Sequence, residues 1–130
     1  MSGSRKKTPA GRFAYDGLDR VMHERARLSI LTSLATNNEG HLFADLRRLC
    51  DLTDGNLSRH LQVLQEAGLV EIWKGFKDKR PQTLCRLTVK GRARFLAYVS
   101  VLEDVVGDAL KASKTSRSRR GELPEGWLPA

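Results

Sequence analysis

Residues 52–70, Leu-Thr-Asp-Gly-Asn-Leu-Ser-Arg-His-Leu-Gln-Val-Leu-Gln-Glu-Ala-Gly-Leu-Val, constrain the fold more than any other part of the chain. Leu57, Leu61 and Leu64 fall at i, i+4 and i+7, which puts them on one buried stripe of a helix. Thr53 is a favourable N-cap, Asp54 suits the positive end of the helix dipole, and Gly68 stops the run ahead of a strand. The opposite side carries Gly55, Ser58, Arg59 and Gln62, with Asn56 and His60 on its flanks. That side lacks the Glu/Lys mixture of a solvated helix and is rich in groups that pair with base edges and phosphates. An ordinary surface helix would account for the segment alone; its neighbours argue for more.

Upstream, Leu18 and Val21 suit a short entry turn, and Glu24 to Ala35 continues as a helix with Ala26, Leu28, Ile30, Leu31, Leu34 and Ala35 on its apolar side. Asn37-Asn38-Glu39-Gly40 is a turn signal. A second helix is expected over Phe43–Cys50, with Leu42, Leu46, Leu49 and Cys50 on one face. Only Asp51, Leu52 and the cap Thr53 separate it from the third helix, and two short helices on so tight a turn form a helix-turn-helix. Downstream, residues 69–74 alternate as a strand, 75–81 read as a flexible basic tip, and 82–87 return as a second strand. Thr88 can cap a long last helix with apolar positions Phe95, Tyr98, Val99, Leu102, Val105, Val106, Ala109 and Leu110. The expected fold is therefore mainly α with a small β-hairpin wing, a winged helix-turn-helix with an extended C-terminal helix.

The 130 residues suffice for one domain with tails: a basic, disordered arm over 1–15, the winged domain and terminal helix over 16–112, and a basic, disordered tail over 113–130. Cys50 and Cys85 lie in apolar runs and read as reduced core residues. No run is long enough to span a membrane, and the basic N-terminus lacks the apolar stretch of a signal peptide, so a cytoplasmic protein is expected. The net charge of +8 is uneven. Arg5, Lys6, Lys7 and Arg12 make residues 1–12 +4, residues 111–130 carry +3, and +1 remains for the body. Within the body, eight Lys and Arg between Lys74 and Arg94 face only Asp78. A basic patch with two basic tails suits a polyanion partner.

Three segments in order resemble winged-helix transcription regulators of the MarR and ArsR superfamily, above all their compact subgroup. They are residues 52–61, Leu64-Gln65-Glu66-Ala67-Gly68-Leu69-Val70, and Arg86-Leu87-Thr88-Val89-Lys90-Gly91-Arg92. The resemblance implies that the helix from Asp54 to Ala67 lies in the major groove of double-stranded DNA. It also implies that the hairpin tip reaches an adjacent minor groove or the backbone, and that terminal helices form a homodimer.

Within that frame each residue type has a role. Asn56 and Gln62 can pair in bidentate fashion with adenine, and Arg59 with guanine. Ser58 can meet a base or a phosphate, and Gly55 lets backbone N–H groups approach a phosphate at the helix start, beside the cap Thr53. His60 either bonds a phosphate or packs beneath the helix. Lys77, Lys79 and Arg80 are the candidate wing contacts. Arg86, Lys90 and Arg92 suit a solvated face or a phosphate equally, while Trp73 and Phe76 suit wing packing better than base stacking. The apolar stripe from Phe95 through Val99, Leu102, Val105, Val106, Ala109 and Leu110 outruns one small domain, and a second copy is the economical cover.

No phosphate loop, nucleophile elbow or carboxylate–histidine set suggests an enzyme, and no cofactor is expected. Cys50 has no second cysteine nearby, and His23, His41 and His60 show no ligand spacing, so no metal site is expected. The favoured expectation is a dimeric, sequence-specific regulator, a repressor on an inverted-repeat operator, with any small-molecule effector unspecified. The alternatives are a winged-helix protein-interaction module and a non-specific nucleic-acid-binding protein.

Overall fold

The computed structural model describes residues 11–15, 18–116 and 121–130. The expected basic positions Arg5, Lys6, Lys7, Arg117, Arg119 and Arg120 lie outside them. In chain order the elements are α1 (Arg25–Ala35), β1 (His41–Leu42), α2 (Phe43–Cys50), α3 (Asp54–Glu66), β2 (Val70–Lys77), β3 (Arg80–Leu87) and α4 (Val89–Ser116). The three strands form one antiparallel sheet in the order β1-β3-β2. This is the expected winged helix, with an additional short strand.

Local chemistry explains the boundaries. Glu24 caps α1 rather than beginning it: its carboxylate accepts from the Arg27 N–H at 2.9 Å. Asp51 adopts the left-handed conformation (φ 54°, ψ 52°) and turns the chain from α2 towards α3. Thr53 then caps α3, its hydroxyl accepting from the Asn56 N–H at 3.1 Å. At the other end, the Gly68 N–H donates to the Gln65 carbonyl and the Leu69 N–H to the Leu64 carbonyl. This Schellman ending suits glycine at Gly68, where φ is +77°.

The core gathers Ile30, Leu31 and Leu34 of α1, Leu46 of α2, Leu57, Leu61 and Leu64 of α3, and Phe95 and Tyr98 of α4. It seats the leucine stripe of α3 as its spacing requires. The hairpin is longer and more regular than its sequence suggests. Residues 75–81 are no loose tip: β2 and β3 stay paired through Phe76↔Pro81 to Lys77↔Arg80, and Asp78 and Lys79, both at positive φ, make a two-residue turn. Pro81 is tolerated because pairs alternate from the turn outwards. That places its missing N–H on the side away from β2, beyond the reach of β1 at Leu84–Cys85. α4 likewise continues past residue 112 to Ser116. Arg12 and Tyr15, expected in the arm, both hydrogen-bond to Asp108 of α4.

Candidate nucleic-acid interface

Thr53, Gly55, Asn56, Ser58, Arg59 and Gln62 all lie on the exposed side of α3. Their polar ends are partly held in place. Arg59 Nη2 donates to Asn56 Oδ1 at 3.1 Å, and Gln62 Nε2 donates to Glu66 Oε2 at 3.3 Å. Arg47 of α2 pairs with Asp54 at 3.0 Å, so the acid at the start of α3 is occupied across the turn. The resulting surface offers a guanidinium, two carboxamides and a hydroxyl in front of a helix N-terminus. Gly55 stands open there, and a methyl group added to its Cα would meet nothing within 4 Å.

His60 does not belong to this face. It is 7% exposed and turned towards α1, with Nδ1 3.4 Å from Arg27 Nη1 and 3.9 Å from Glu24 Oε1. Of the two readings of this residue, its burial favours packing beneath the helix. Burial lowers its pKa below the ordinary value, Glu24 opposes that shift, and Arg59 and Arg27 add to it.

The wing stands beside α3. Lys77, Lys79 and Arg80 are exposed at its end. Phe76 does not pack into the wing as expected, being 78% exposed, whereas Trp73, 54% exposed, packs on the wing surface with the Arg86 guanidinium 5.9 Å from its ring centroid. Trp73 keeps a local partner, donating through Nε1 to Glu71, which also receives Arg86. Two arginines of this stretch serve the fold. Arg92 donates to the Ala35 carbonyl, and Arg94 pairs with Asp19. The basic segment thus divides into structural arginines near α4 and an exposed cationic wing.

The stripe of α4 divides too. Phe95 is 5% exposed and lies in the core, so it is withdrawn from the expected dimer face; Val99 and Leu102 pack partly against that core. Val105 is half-buried, whereas Val106, Ala109 and Leu110 are exposed. Leu96, which lies off the stripe expected from the sequence, is exposed as well. Burial raises the Cys50 thiol pKa and pushes that of Cys85 up to about 11, so neither is tuned as a thiolate. Among the described residues, no group of three or more His, Cys, Asp or Glu is placed to hold a metal, and no helix is long and apolar enough to cross a membrane.

Residues 26–106 match the family model described as a winged helix DNA-binding domain. An uncharacterized protein of Methanocaldococcus jannaschii is 42% identical over 57 residues, 44% of this chain; the match spans 62% of that relative's length. Among solved structures, a transcriptional regulator homologue from Pyrococcus horikoshii OT3 is similar at 30% identity and a TM-score of 0.64, covering 68% of this chain and 87% of that one. A protein assigned to the MarR family of transcriptional regulators from Enterococcus faecalis V583 aligns at a TM-score of 0.66, over 87% of this chain and 99% of its own. At 21% identity that last likeness concerns the fold.

Proposed function

Since the chain belongs to the winged helix DNA-binding domain family, we propose that it is a sequence-reading transcriptional regulator that represses as a homodimer on an inverted-repeat operator. The observation that carries this reading is the exposed polar face of α3, from Thr53 through Gly55, Asn56, Ser58 and Arg59 to Gln62, beside a wing ending in Lys77, Lys79 and Arg80. In this reading α3 enters the major groove. Arg59 reads guanine, Asn56 and Gln62 read adenine, and the Gly55 end of the helix meets a phosphate. The wing meets the neighbouring minor groove or backbone. Val106, Ala109 and Leu110, with the half-buried Val105, supply the apolar face for a second copy. Two such copies present their α3 helices to half-sites about 34–36 Å apart.

The test is a genomic DNA selection with the purified protein at near-physiological salt. Enrichment of an inverted repeat, bound on the order of a thousandfold more tightly than unrelated DNA, is the expected outcome. Uniform recovery of all fragments would replace sequence reading with non-specific binding. Recovery of none would move the function to protein partners.

A further inference from the structure

We propose that the cleft between α3 and the wing grips the single DNA strand that separates the two grooves, and that Lys74 is the residue that holds its phosphate. This rests on the reading of α3 and the wing as neighbouring groove contacts. If one element occupies the major groove and the other the adjacent minor groove, the backbone dividing those grooves must pass between them.

The structure supplies a cleft there of about 540 Å³. Side chains on a strand alternate between faces, so Val70, Ile72, Lys74 and Phe76 share one side of β2. Val70 is buried in the core, which identifies this as the inner side. Across the pair, Thr83 lies opposite Lys74 and Pro81 opposite Phe76. The inner side of the wing therefore changes character along its length. Ile72 packs against the core, Lys74 and Thr83 follow, and the Phe76–Pro81 pair comes next towards the turn.

Lys74 does not simply trail into solvent. Its Nζ donates to Thr83 Oγ1 at 3.2 Å, which holds the ammonium on the cleft side. Ser58 lines the same cleft from α3, and Leu61 and Ile72 line it between the two. A cation, two hydroxyls and an apolar floor suit a phosphodiester, with charge for the phosphate oxygens and carbon for the sugar. Phe76, 78% exposed beyond Lys74, is the surface on which the next deoxyribose would rest. Glu66 also lines the cleft and keeps its negative charge, its carboxylate accepting from the neutral Gln62 amide on the same helix, so Lys74 is the one cation among the described residues lining the cleft to offset it. The tip residues Lys77, Lys79 and Arg80 lie beyond this point, so Lys74 provides a contact distinct from theirs.

The experiment measures binding of full-length wild type, Lys74→Gln and Lys74→Arg to a fluorescein-labelled random-sequence duplex across a salt series. Thermal melting of each protein checks that the exposed substitutions leave the fold intact. Losing one phosphate contact lowers the slope of log affinity against log salt by about 0.9, so between about 50 and 200 mM salt wild type loses roughly threefold more affinity than Lys74→Gln. Lys74→Arg is expected to keep the wild-type slope. An unchanged slope in Lys74→Gln, with wild type binding normally, overturns the Lys74 assignment alone. Absence of binding by wild type to this duplex overturns this inference, and absence of binding to any fragment of the genomic selection as well overturns the proposed function with it.

Discussion

Gly91 and Leu69 approach so closely that a Cβ at Gly91 would stand 2.0 Å from the Leu69 carbonyl oxygen. Thr88 fastens the same junction, donating to the Gly68 carbonyl and accepting from the Gly91 N–H. The start of α4 is thereby fastened to the exit of α3, which joins the candidate dimer helix to the candidate reading helix at this junction. Gly91→Ala is expected to destabilise the protein by at least about 2 kcal/mol, because the obstacle is backbone and cannot rotate away. Gly55→Ala meets nothing within 4 Å and is expected to be neutral or to stabilise α3 by up to about 1 kcal/mol, while weakening DNA binding. Denaturant melts and a binding titration on both variants check the contrast.

His60 predicts a pH dependence of stability. Its folded pKa is lowered, chiefly by burial, so in acid the unfolded chain takes up the proton before the folded one does. The contribution is complete above about pH 6.5 and is lost as the pH falls from there through the folded value. His60→Gln should flatten that part of the stability–pH curve. A curve of unchanged slope between wild type and variant would show that the ring is not the group responsible.

Arg59 is predicted to separate sequence reading from general affinity. Arg59→Ala should cost about 1–3 kcal/mol on the selected operator and little on random DNA, with the melting temperature unchanged because the side chain is exposed. Equal losses on both duplexes would remove it from base reading and leave it a phosphate contact.

The two halves of the α4 stripe should respond differently. Phe95→Ala is expected to cost about 3–5 kcal/mol of folding stability, since the ring is 5% exposed within the core. Val106→Glu should leave the fold intact, because Val106 is 55% exposed, and convert the proposed dimer to a monomer by placing a charge in its apolar face. Sedimentation velocity beside a thermal melt distinguishes the two effects.

Much of the architecture is legible in short-range signals. The cap Thr53, the stripe Leu57–Leu61–Leu64 and the stop at Gly68 define α3 locally, and α2 occupies Phe43–Cys50 as expected, although Leu49 of its expected apolar face is 59% exposed. β1 is not legible, since His41 and Leu42 are two residues without a pattern and become a strand only by pairing with Cys85 and Leu84. The wing reads too short in the sequence because Gly75 and Pro81 are usual markers of a loop. What lets the ladder run past them is the geometry of the partner strand.

The sequence by itself determined where the helices lie to within a few residues, where the helix-turn-helix corner falls and which side of α3 is polar. These depend on periodicity and capping within a few residues. Only the tertiary structure decided that His60 turns inward to Arg27 and Glu24, that Phe95 belongs to the core while Leu96 faces out, and that Lys74 stands over a cleft with Thr83. A helical wheel places a residue on a flank without saying which neighbour packs there. That outcome depends on contacts between segments far apart in the chain, and the final rotation of each helix is set by the packing they share.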